Sequence, residues 1–238
     1  MSFNVTYNGV MDTTAGVHAI ARPAIPSPTP RADVITIPGR PGDVYLYEST
    51  QDIVIPVTFN WTVRNTESNF HAAFRNFKSW IYSNGSGELS FSDDPAVFYK
   101  CKFVQVVETQ RPSKRIGQAT VEFTCEPFTY LVYGKTGGFL PDIAVEGIIG
   151  NPYNVVAHPV YVLTGSGACT LTVNGKTFAV NLTDRATINT DKMTIQGANL
   201  SWVDSIGDYE DLYLNPGENT VSVTEGFQCW ITPHWRCL

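Results

Sequence analysis

The chain has 238 residues, of which 43% are hydrophobic, 12% aromatic and 16% charged, a composition that excludes intrinsic disorder and allows one large or two ordinary domains. Its formal net charge of −6 and its scattered Lys and Arg residues argue against a duplex-DNA-binding protein, which needs a basic face to neutralise phosphates. The first residues do not resemble a signal peptide and no segment approaches the roughly 18 apolar residues of a membrane span, so we expect synthesis in a reducing cytosol.

The first part of the chain predicts short strands and an extended, proline-rich arm. An alternating run of apolar and polar residues ends at Asn8-Gly9, a pattern typical of a strand followed by a turn. Four prolines between Pro23 and Pro30 forbid a helix and favour a polyproline-like path. We interpret this segment as a stiff arm that reaches over the fold or onto a neighbour, with a ligand for a proline-binding module as the alternative.

A compound turn separates two strand-like runs, at 34–37 and 44–47. An arginine framed by glycine and proline in an exposed turn suits a protein interface, although it could also only brace its own turn. The candidate interface residues of this turn are Pro38, Gly39, Arg40, Pro41 and Gly42. A third run, at 53–61, contains Pro56, which predicts a sheet edge or a bulge at that point.

One helix is predicted, at about residues 67–84. Phe70, Phe74, Phe77 and Ile81 recur at spacings of four, three and four, so they share one helix face. An aromatic stripe of this kind is typical of a helix packed on a sheet, and we assign it no functional site. Further strands are expected on the C-terminal side of the helix, among them 119–125, whose alternation predicts one face in water.

The second half of the chain predicts strands and turns without a helix. The glycine-rich segment 135–150 is expected to join a domain of residues 1–134 to a domain of residues 151–238. Strands at short, regular intervals indicate a β-sandwich or jelly roll. Asn174-Gly175 lies between two alternating runs and predicts a type I′ hairpin, whose inner face carries the apolar residues Leu171, Val173, Phe178 and Val180.

The motifs of common enzymes are missing from the sequence. It contains no glycine-rich phosphate loop, no Gly-x-Ser-x-Gly and no His-Glu-x-x-His, so we predict a protein that is not an enzyme and uses no cofactor or metal. The acidic cluster at 208–211 lacks the alternate-position spacing of a calcium-binding loop. The five cysteines are interpreted as buried thiols, with a Cys101–Cys125 disulfide as an alternative if their strands pair.

Two tryptophans are further candidate interface residues. Alternation along 227–231 places Cys229 and Ile231 inward, and Trp230 outward together with Gln228. An outward tryptophan can stack on a sugar or anchor a protein interface, but it can also lie under a loop or against the other domain. Trp202, in an irregular stretch, carries the same alternatives.

Turns and strand edges follow one another in a distinctive order along nearly the whole chain. They lie at 3–9, 38–42, the helix, 89–95 and 121–127 in the first half, and at 151–152, 159, 165–167, 173–175, 216–219 and 231–238 in the second. In this order and spacing the sequence resembles the distal tail protein (Dit) family of siphophages and related prophages. The family usually ends in Pro-Arg-Trp-Arg, whereas this chain has His234 in place of the first arginine.

This resemblance implies a mainly β fold and a structural role in the virion, at the phage tail tip or baseplate, after synthesis in the bacterial cytoplasm. The expected N-terminal domain is β-sandwich or split-barrel-like with one α-helix and forms a hexameric ring. The expected C-terminal domain is a galectin-like β-sandwich of jelly-roll type. Implied partners are the other copies in the ring, the tail tube protein, a tail-associated fibre or lysin-type protein, receptor-binding proteins, and DNA passing through the lumen; no membrane is implied.

Two alternative functions remain open at this point. One is a carbohydrate-binding, lectin-like module that acts through the C-terminal sandwich and Trp230 or Trp202. The other is a subunit of the tail tube, which would also form rings.

Overall fold

The computed structural model describes residues 3–63, 67–83, 86–135, 138–140, 147–197 and 205–238. These residues form twenty β-strands and one α-helix, which confirms the predicted mainly β fold with a helix for the described part of the chain. The chain divides into two compact units, unit 1 (Met1–Thr129 with Leu238) and unit 2 (Tyr130–Cys237). In the ranges given above, no helix is long and apolar enough to cross a membrane.

Unit 1 is built on one curled sheet and one helix. Its main sheet has the strand order β2-β1-β7-β8-β9-β6-β3, while β4 and β5 form a separate two-stranded sheet. The elements in chain order are β1 (Val5–Tyr7), β2 (Val10–Met11), β3 (His18–Ala19), β4 (Pro30–Ile35), β5 (Val44–Thr50), β6 (Ile53–Thr62), α1 (Glu67–Ile81), β7 (Gly87–Phe91), β8 (Asp94–Gln110) and β9 (Ile116–Leu131).

The two edges of the main sheet are held close to each other by the chain itself. The edge strands β2 and β3 are joined by residues 12–17, a link that spans about 25 Å at most. A flat sheet of this order would separate its edges by roughly 29 Å, so the sheet must curl into a half-barrel. Asp12 fixes the link: its buried carboxylate accepts hydrogen bonds from the backbone N–H of Thr13 at 2.7 Å and of Ala19 at 3.0 Å.

An aromatic stack between β6 and α1 forms the centre of the core of unit 1. The ring of Trp61 on β6 lies 5.7, 5.6 and 5.5 Å from the rings of Phe70, Phe74 and Phe77 on the helix. Phe70, Phe77 and Ile81 are buried, and Phe74 packs against the same cluster. The predicted aromatic stripe is therefore confirmed as core, and the helix ends at Ile81 rather than at about residue 84.

The position of Pro56 confirms that β6 is locally an edge. In the register between β6 and β3, His18 faces Asn60 and Ala19 faces Phe59, so β3 stops short of Pro56. On the other side, Pro56 faces Glu122 of β9. A proline has no N–H to donate, and it is tolerated where the neighbouring strand ends.

Unit 2 contains two five-stranded antiparallel sheets. One, here called the β12 sheet, has the order β10-β19-β12-β15-β16, and the other, the β13 sheet, has the order β11-β18-β13-β14-β17. Alternate residues of both sheets are fully buried, among them Tyr161 and Leu163 on β12 and Leu171 and Val173 on β13. The strands are β10 (Gly138–Leu140), β11 (Gly147–Asn151), β12 (Val160–Thr164), β13 (Gly167–Val173), β14 (Lys176–Leu182), β15 (Arg185–Asn189), β16 (Thr194–Gly197), β17 (Ser205–Ile206), β18 (Gly217–Val223), β19 (Gln228–Thr232) and β20 (Arg236–Cys237), the last of which pairs with the end of β9.

The predicted hairpin between β13 and β14 is confirmed in detail. Val173 pairs with Lys176, which leaves Asn174-Gly175 as a two-residue turn. Their φ angles are +50° and +79°, as a type I′ turn requires. The four residues predicted for the inner face, Leu171, Val173, Phe178 and Val180, are all buried.

The C-terminal motif of the chain fastens unit 2 internally. Arg236 is 9% exposed and donates a hydrogen bond from Nε to the carbonyl oxygen of Val156 at 2.8 Å. Its Nη2 lies 2.9 Å from Nε2 of His158, whose Nδ1 is 3.1 Å from the carboxylate of Asp191. The ring of His158 also stacks on Tyr213 at 4.2 Å. The arginine therefore ties the end of the chain to two earlier segments.

A substitution at Gly117 tests the Trp61 stack. Gly117 lies opposite Trp61 in the register of β6 and β9, and a Cβ added there would lie 2.2 Å from the indole ring. We expect Gly117→Ala to lower the free energy of unfolding by about 1–3 kcal/mol, because the ring must move out of a filled core. Urea denaturation measures the change. The matched control is Gly150→Ala, another strand glycine, where an added Cβ meets open space; equal stability of the two variants would contradict this account of the core.

Thiol reactivity tests the interpretation of the cysteines. Cys101 and Cys125 lie on paired strands with their Sγ atoms 2.9 Å apart, and both are free thiols. The hydrogen bond to Cys125, together with burial, raises the pKa of Cys101, and burial raises the pKa of Cys169 to about 11 and of Cys229 to about 12. Since the thiolate is the nucleophile, we expect a disulfide reagent at pH 8 to label only the half-buried Cys237 in the native protein.

In denaturant all five cysteines should react, whereas an oxidised Cys101–Cys125 pair would leave three reactive thiols.

The buried thiols also make the stability of the fold depend on pH. Thiols in the unfolded chain ionise near pH 8.5, below the raised pKa values of buried Cys169 and Cys229. Stability is therefore fully present below about pH 8.5 and falls as the pH rises towards 12, which thermal unfolding across this range will measure.

Candidate assembly surface

The most exposed apolar feature of unit 1 is an arm formed by residues 22–51. It begins with the proline-rich segment and continues through β4 and β5. Arg22 fixes its start, with Nε 2.7 Å from the carboxylate of Asp93 and the guanidinium 5.3 Å from the ring of Phe3. The base of its hairpin is closed by the N–H of Gln51, which donates to the carbonyl oxygen of Thr29 at 2.8 Å. Residues 22–29 form no helix, as their prolines predict, and the arm continues into a hairpin; its reach onto a neighbour stays a prediction.

The hairpin of the arm has a regular ladder and a structured tip. β4 and β5 pair from Pro30–Thr50 to Ile35–Val44, with one irregularity after Arg31. The turn is closed by a hydrogen bond from the N–H of Arg40 to the carbonyl oxygen of Ile37 at 3.1 Å, and Thr36 Oγ1 donates to the Asp43 carboxylate at 2.9 Å. The tip contains the five candidate residues Pro38, Gly39, Arg40, Pro41 and Gly42, all exposed.

The two glycines of this tip adopt conformations that other residues avoid. Gly39 has φ +84° and Gly42 has φ +81°, both in the left-handed region. The glycines therefore make the turn possible. The backbone of the turn does not require the side chain of Arg40, which lies between them in the sequence. The position of the turn agrees with the sequence analysis; an interface role for Arg40 stays a prediction.

The arm exposes large apolar side chains on both faces. Seven of them are between 41% and 69% exposed, namely Ile25, Val34, Ile35, Ile37, Tyr45, Leu46 and Tyr47. Because neighbouring residues of a strand point to opposite faces, the consecutive exposure of Tyr45, Leu46 and Tyr47 means that neither face of the hairpin is covered within the described chain. The arm thus differs from β6, where buried and exposed residues alternate.

Such a hairpin needs a partner for its own stability. A two-stranded hairpin alone is marginally stable in water, and large exposed apolar patches mark interaction surfaces. What the arm can do chemically is bind: it offers aromatic and aliphatic area and two sheet edges to another chain. Sequence reasoning identified the tip and missed these flanking residues. The available indication was the run 44–47, which is apolar or aromatic throughout and does not alternate.

The remaining candidate residues lie elsewhere. Trp230, on β19 of unit 2, points outward as predicted and is 44% exposed, while Cys229 and Ile231 on either side are fully buried. Trp202 lies outside the described residues. Asp211 of the acidic cluster pairs with Lys176 at 3.1 Å. The tip of the arm thus belongs to unit 1 and Trp230 to unit 2.

The geometry can be compared with known proteins. Residues 16–125, which include the arm and the Trp61 stack, match the family model of the phage tail protein RIFT-related domain. The fold is similar to that of SPP1 Dit (gp 19.1), described as a hub of the adsorption apparatus in phages that infect Gram-positive bacteria, with 15% identity, a TM-score of 0.71 and coverage of 97% of this chain and 98% of that one. It is also similar to a chain of the phage P2 baseplate in its activated conformation, solved with Ca and with Sr, with 10% identity, a TM-score of 0.55 and coverage of 97% of both chains.

A comparison with curated protein sequences gives no match. The match to the family model and the similarity to the solved structures are nevertheless consistent with each other. Both also agree with the order of turns in the sequence. The resemblance to distal tail proteins is thereby confirmed: residues 16–125 match the model of the phage tail protein RIFT-related domain, and the fold of the chain is similar to that of SPP1 Dit along nearly its whole length.

Proposed function

We propose that this chain is a structural, non-enzymatic subunit of a phage tail tip or baseplate, and that six copies form a closed ring that acts as a hub. The observation that carries the proposal is the arm, whose seven large apolar side chains are exposed in the single copy. A neighbouring copy that receives the arm would cover them. Such head-to-tail contacts between identical chains close into a ring when the rotation between copies allows it.

The number six comes from the resemblance to distal tail proteins, and the place in the tail is supported by the similarity to SPP1 Dit and to the phage P2 baseplate. In this proposal the ring joins the tail tube protein to a tail-associated fibre or lysin-type protein and to receptor-binding proteins. DNA passes through the lumen without being held there. The net charge of −6 on each copy supports this last point, since an acidic protein has little attraction for phosphates.

The two units take different parts in the proposed hub. We assign ring formation to a split-barrel-like N-terminal domain, residues 1–134, because the curled sheet and the arm lie there. We assign the attachment of adsorption proteins to a galectin-like β-sandwich, residues 151–238. The alternately buried residues of the β12 and β13 sheets support a sandwich, since each sheet has one covered face.

A double substitution in the arm tests ring formation. We expect the purified protein to form closed rings in negative-stain images and a matching mass in light scattering. Replacing Tyr45 and Tyr47 together by serine should raise the concentration needed for assembly at least about tenfold, because two large side chains lose their burial in the contact. The melting temperature of the dissociated subunit should hardly change, since both residues are exposed there.

The matched control for this experiment is Ile148→Ser, an equally exposed apolar residue of unit 2. It should assemble as the wild type does. A wild-type protein that stays monomeric across micromolar concentrations would refute the hub, and open helical tubes in place of single rings would assign the chain to the tail tube.

Charge reversal at the tip of the arm is a separate test. We expect Arg40→Glu to weaken assembly more than folding, since the side chain is exposed and lies between two glycines that already determine the turn. Arg40→Lys should retain most of the assembly. The readout is the sedimentation of the ring against that of the subunit. An unchanged ring in Arg40→Glu would show that the arginine has no role in the contact.

A further inference from the structure

The outer face of the β12 sheet carries a cleft of about 460 Å³, here called the Trp230 cleft. It is lined by Val162, Thr164, Arg185, Gln228, Trp230 and Thr232, which come from the three adjacent strands β12, β15 and β19. The register brings these residues side by side: Trp230 faces Val162, and Thr164 lies between Gln228 and Arg185. The volume falls in the range of roughly 300–1,000 Å³ that is usual for ligand sites.

The strands hold this cleft rigidly. The residues that alternate with its lining point to the opposite face and are fully buried, among them Tyr161 and Leu163 on β12 and Cys229 and Ile231 on β19. The hydroxyl of Tyr161 donates to the carbonyl oxygen of Leu212 at 2.8 Å, which anchors the central strand from behind. Sites built on strands keep their geometry better than sites built on loops, so the lining is preorganised.

The polar groups of the cleft are available to a ligand. Across the described residues, the side chains of Thr164, Arg185, Gln228 and Thr232 have no hydrogen-bond or ion-pair partner within the chain. They offer two hydroxyls, an amide and a guanidinium around the indole ring of Trp230, which is 44% exposed. The described residues of the lining include no carboxylate, so the formal charge of this described lining is positive, in a chain of net charge −6.

We propose that the Trp230 cleft binds a saccharide that carries an acidic substituent. The indole face has a negative quadrupole, which attracts the polarised C–H groups on one face of a pyranose ring. The hydroxyls and the amide bond to the ring hydroxyls as donors or acceptors. The guanidinium of Arg185 forms two parallel hydrogen bonds to a carboxylate or phosphate on the sugar.

The chemistry of the lining favours this class over a protein partner. A protein interface buries a cluster of apolar and aromatic anchors, as the arm provides in unit 1. In the part of the lining that the structure describes, Val162 and Trp230 are the apolar members, beside four polar side chains without partners there. A single-stranded nucleic acid would need a basic groove several nucleotides long, whereas Arg185 is the one cation among the described lining residues. The inference does not depend on ring formation.

Binding to defined oligosaccharides tests the proposal. The probe is an immobilised panel in which galactose and glucose oligomers are paired with their uronic-acid counterparts. We expect saturable binding, stronger for the acidic member of a pair and weaker at high salt. Trp230→Ala should weaken binding about tenfold or more, and Trp230→Phe should restore part of it, because the ring supplies the stacking surface. Arg185→Gln should weaken the binding of the acidic oligomer about tenfold and change the binding of the neutral oligomer little.

The matched control is Ile148→Ala, an exposed apolar residue on the other sheet, which should bind as the wild type does. Thermal unfolding of each variant shows whether the fold is intact. The proposal is overturned if no member of the panel binds at millimolar concentration, or if Trp230→Ala binds normally. It is also overturned if Trp230→Ala blocks the attachment of another tail protein while saccharide binding is absent, because the cleft is then a protein interface. Ring formation is scored separately, so the hub and the cleft can fail independently.

Discussion

The packing of one helix against a curled sheet is the constraint on which the rest of unit 1 depends. Trp61 lies at its centre, between Gly117 on the next strand and the phenylalanines of α1. Burial of an aromatic side chain contributes roughly 1.5–3 kcal/mol, so this stack supplies a large part of a marginal total stability. Because the core is complete without the arm, the fold can leave the arm in water until a partner covers it. A small core without such a stack could not tolerate that exposure.

Contacts at its base attach the arm to the rest of unit 1. Arg22 pairs with Asp93 in the turn between β7 and β8, and the carbonyl oxygen of Thr29 accepts a hydrogen bond from the N–H of Gln51. Lys102 lies 2.8 Å from the carboxylate of Asp52. Exposed ion pairs of this kind contribute about 1 kcal/mol or less each, which positions the arm but does not compensate for its uncovered faces. Covering seven apolar side chains supplies the larger stabilising term. In the proposed ring, assembly would therefore stabilise this segment as well as join the copies.

Local patterns in the sequence predicted the local structure well. Three predicted features are confirmed: the turn at Asn174-Gly175, the aromatic face of the helix and the outward orientation of Trp230. Each depends on residues within a few positions of each other. Long-range pairing was beyond such reasoning. Nothing in the run 44–47 shows that it pairs only into a hairpin, because an apolar strand equally fits a buried sheet. The partner of Trp61, at Gly117, is likewise fixed by strand pairing over a long sequence separation.

The arm and the Trp230 cleft differ in which of their groups lack contacts. This difference supports the different partners proposed for them. The arm lacks cover for apolar area, which any complementary protein surface supplies, and a second copy is always present at equal concentration. The four polar side chains of the Trp230 cleft lack hydrogen-bond partners among the described residues. An apolar protein surface placed there would strip water from Thr164, Arg185 and Gln228 without replacing it, at a cost of about 1–3 kcal/mol for each buried group. A hydroxylated ring with an acidic group replaces that water, which is why the same physical argument leads to a protein at one surface and a saccharide at the other.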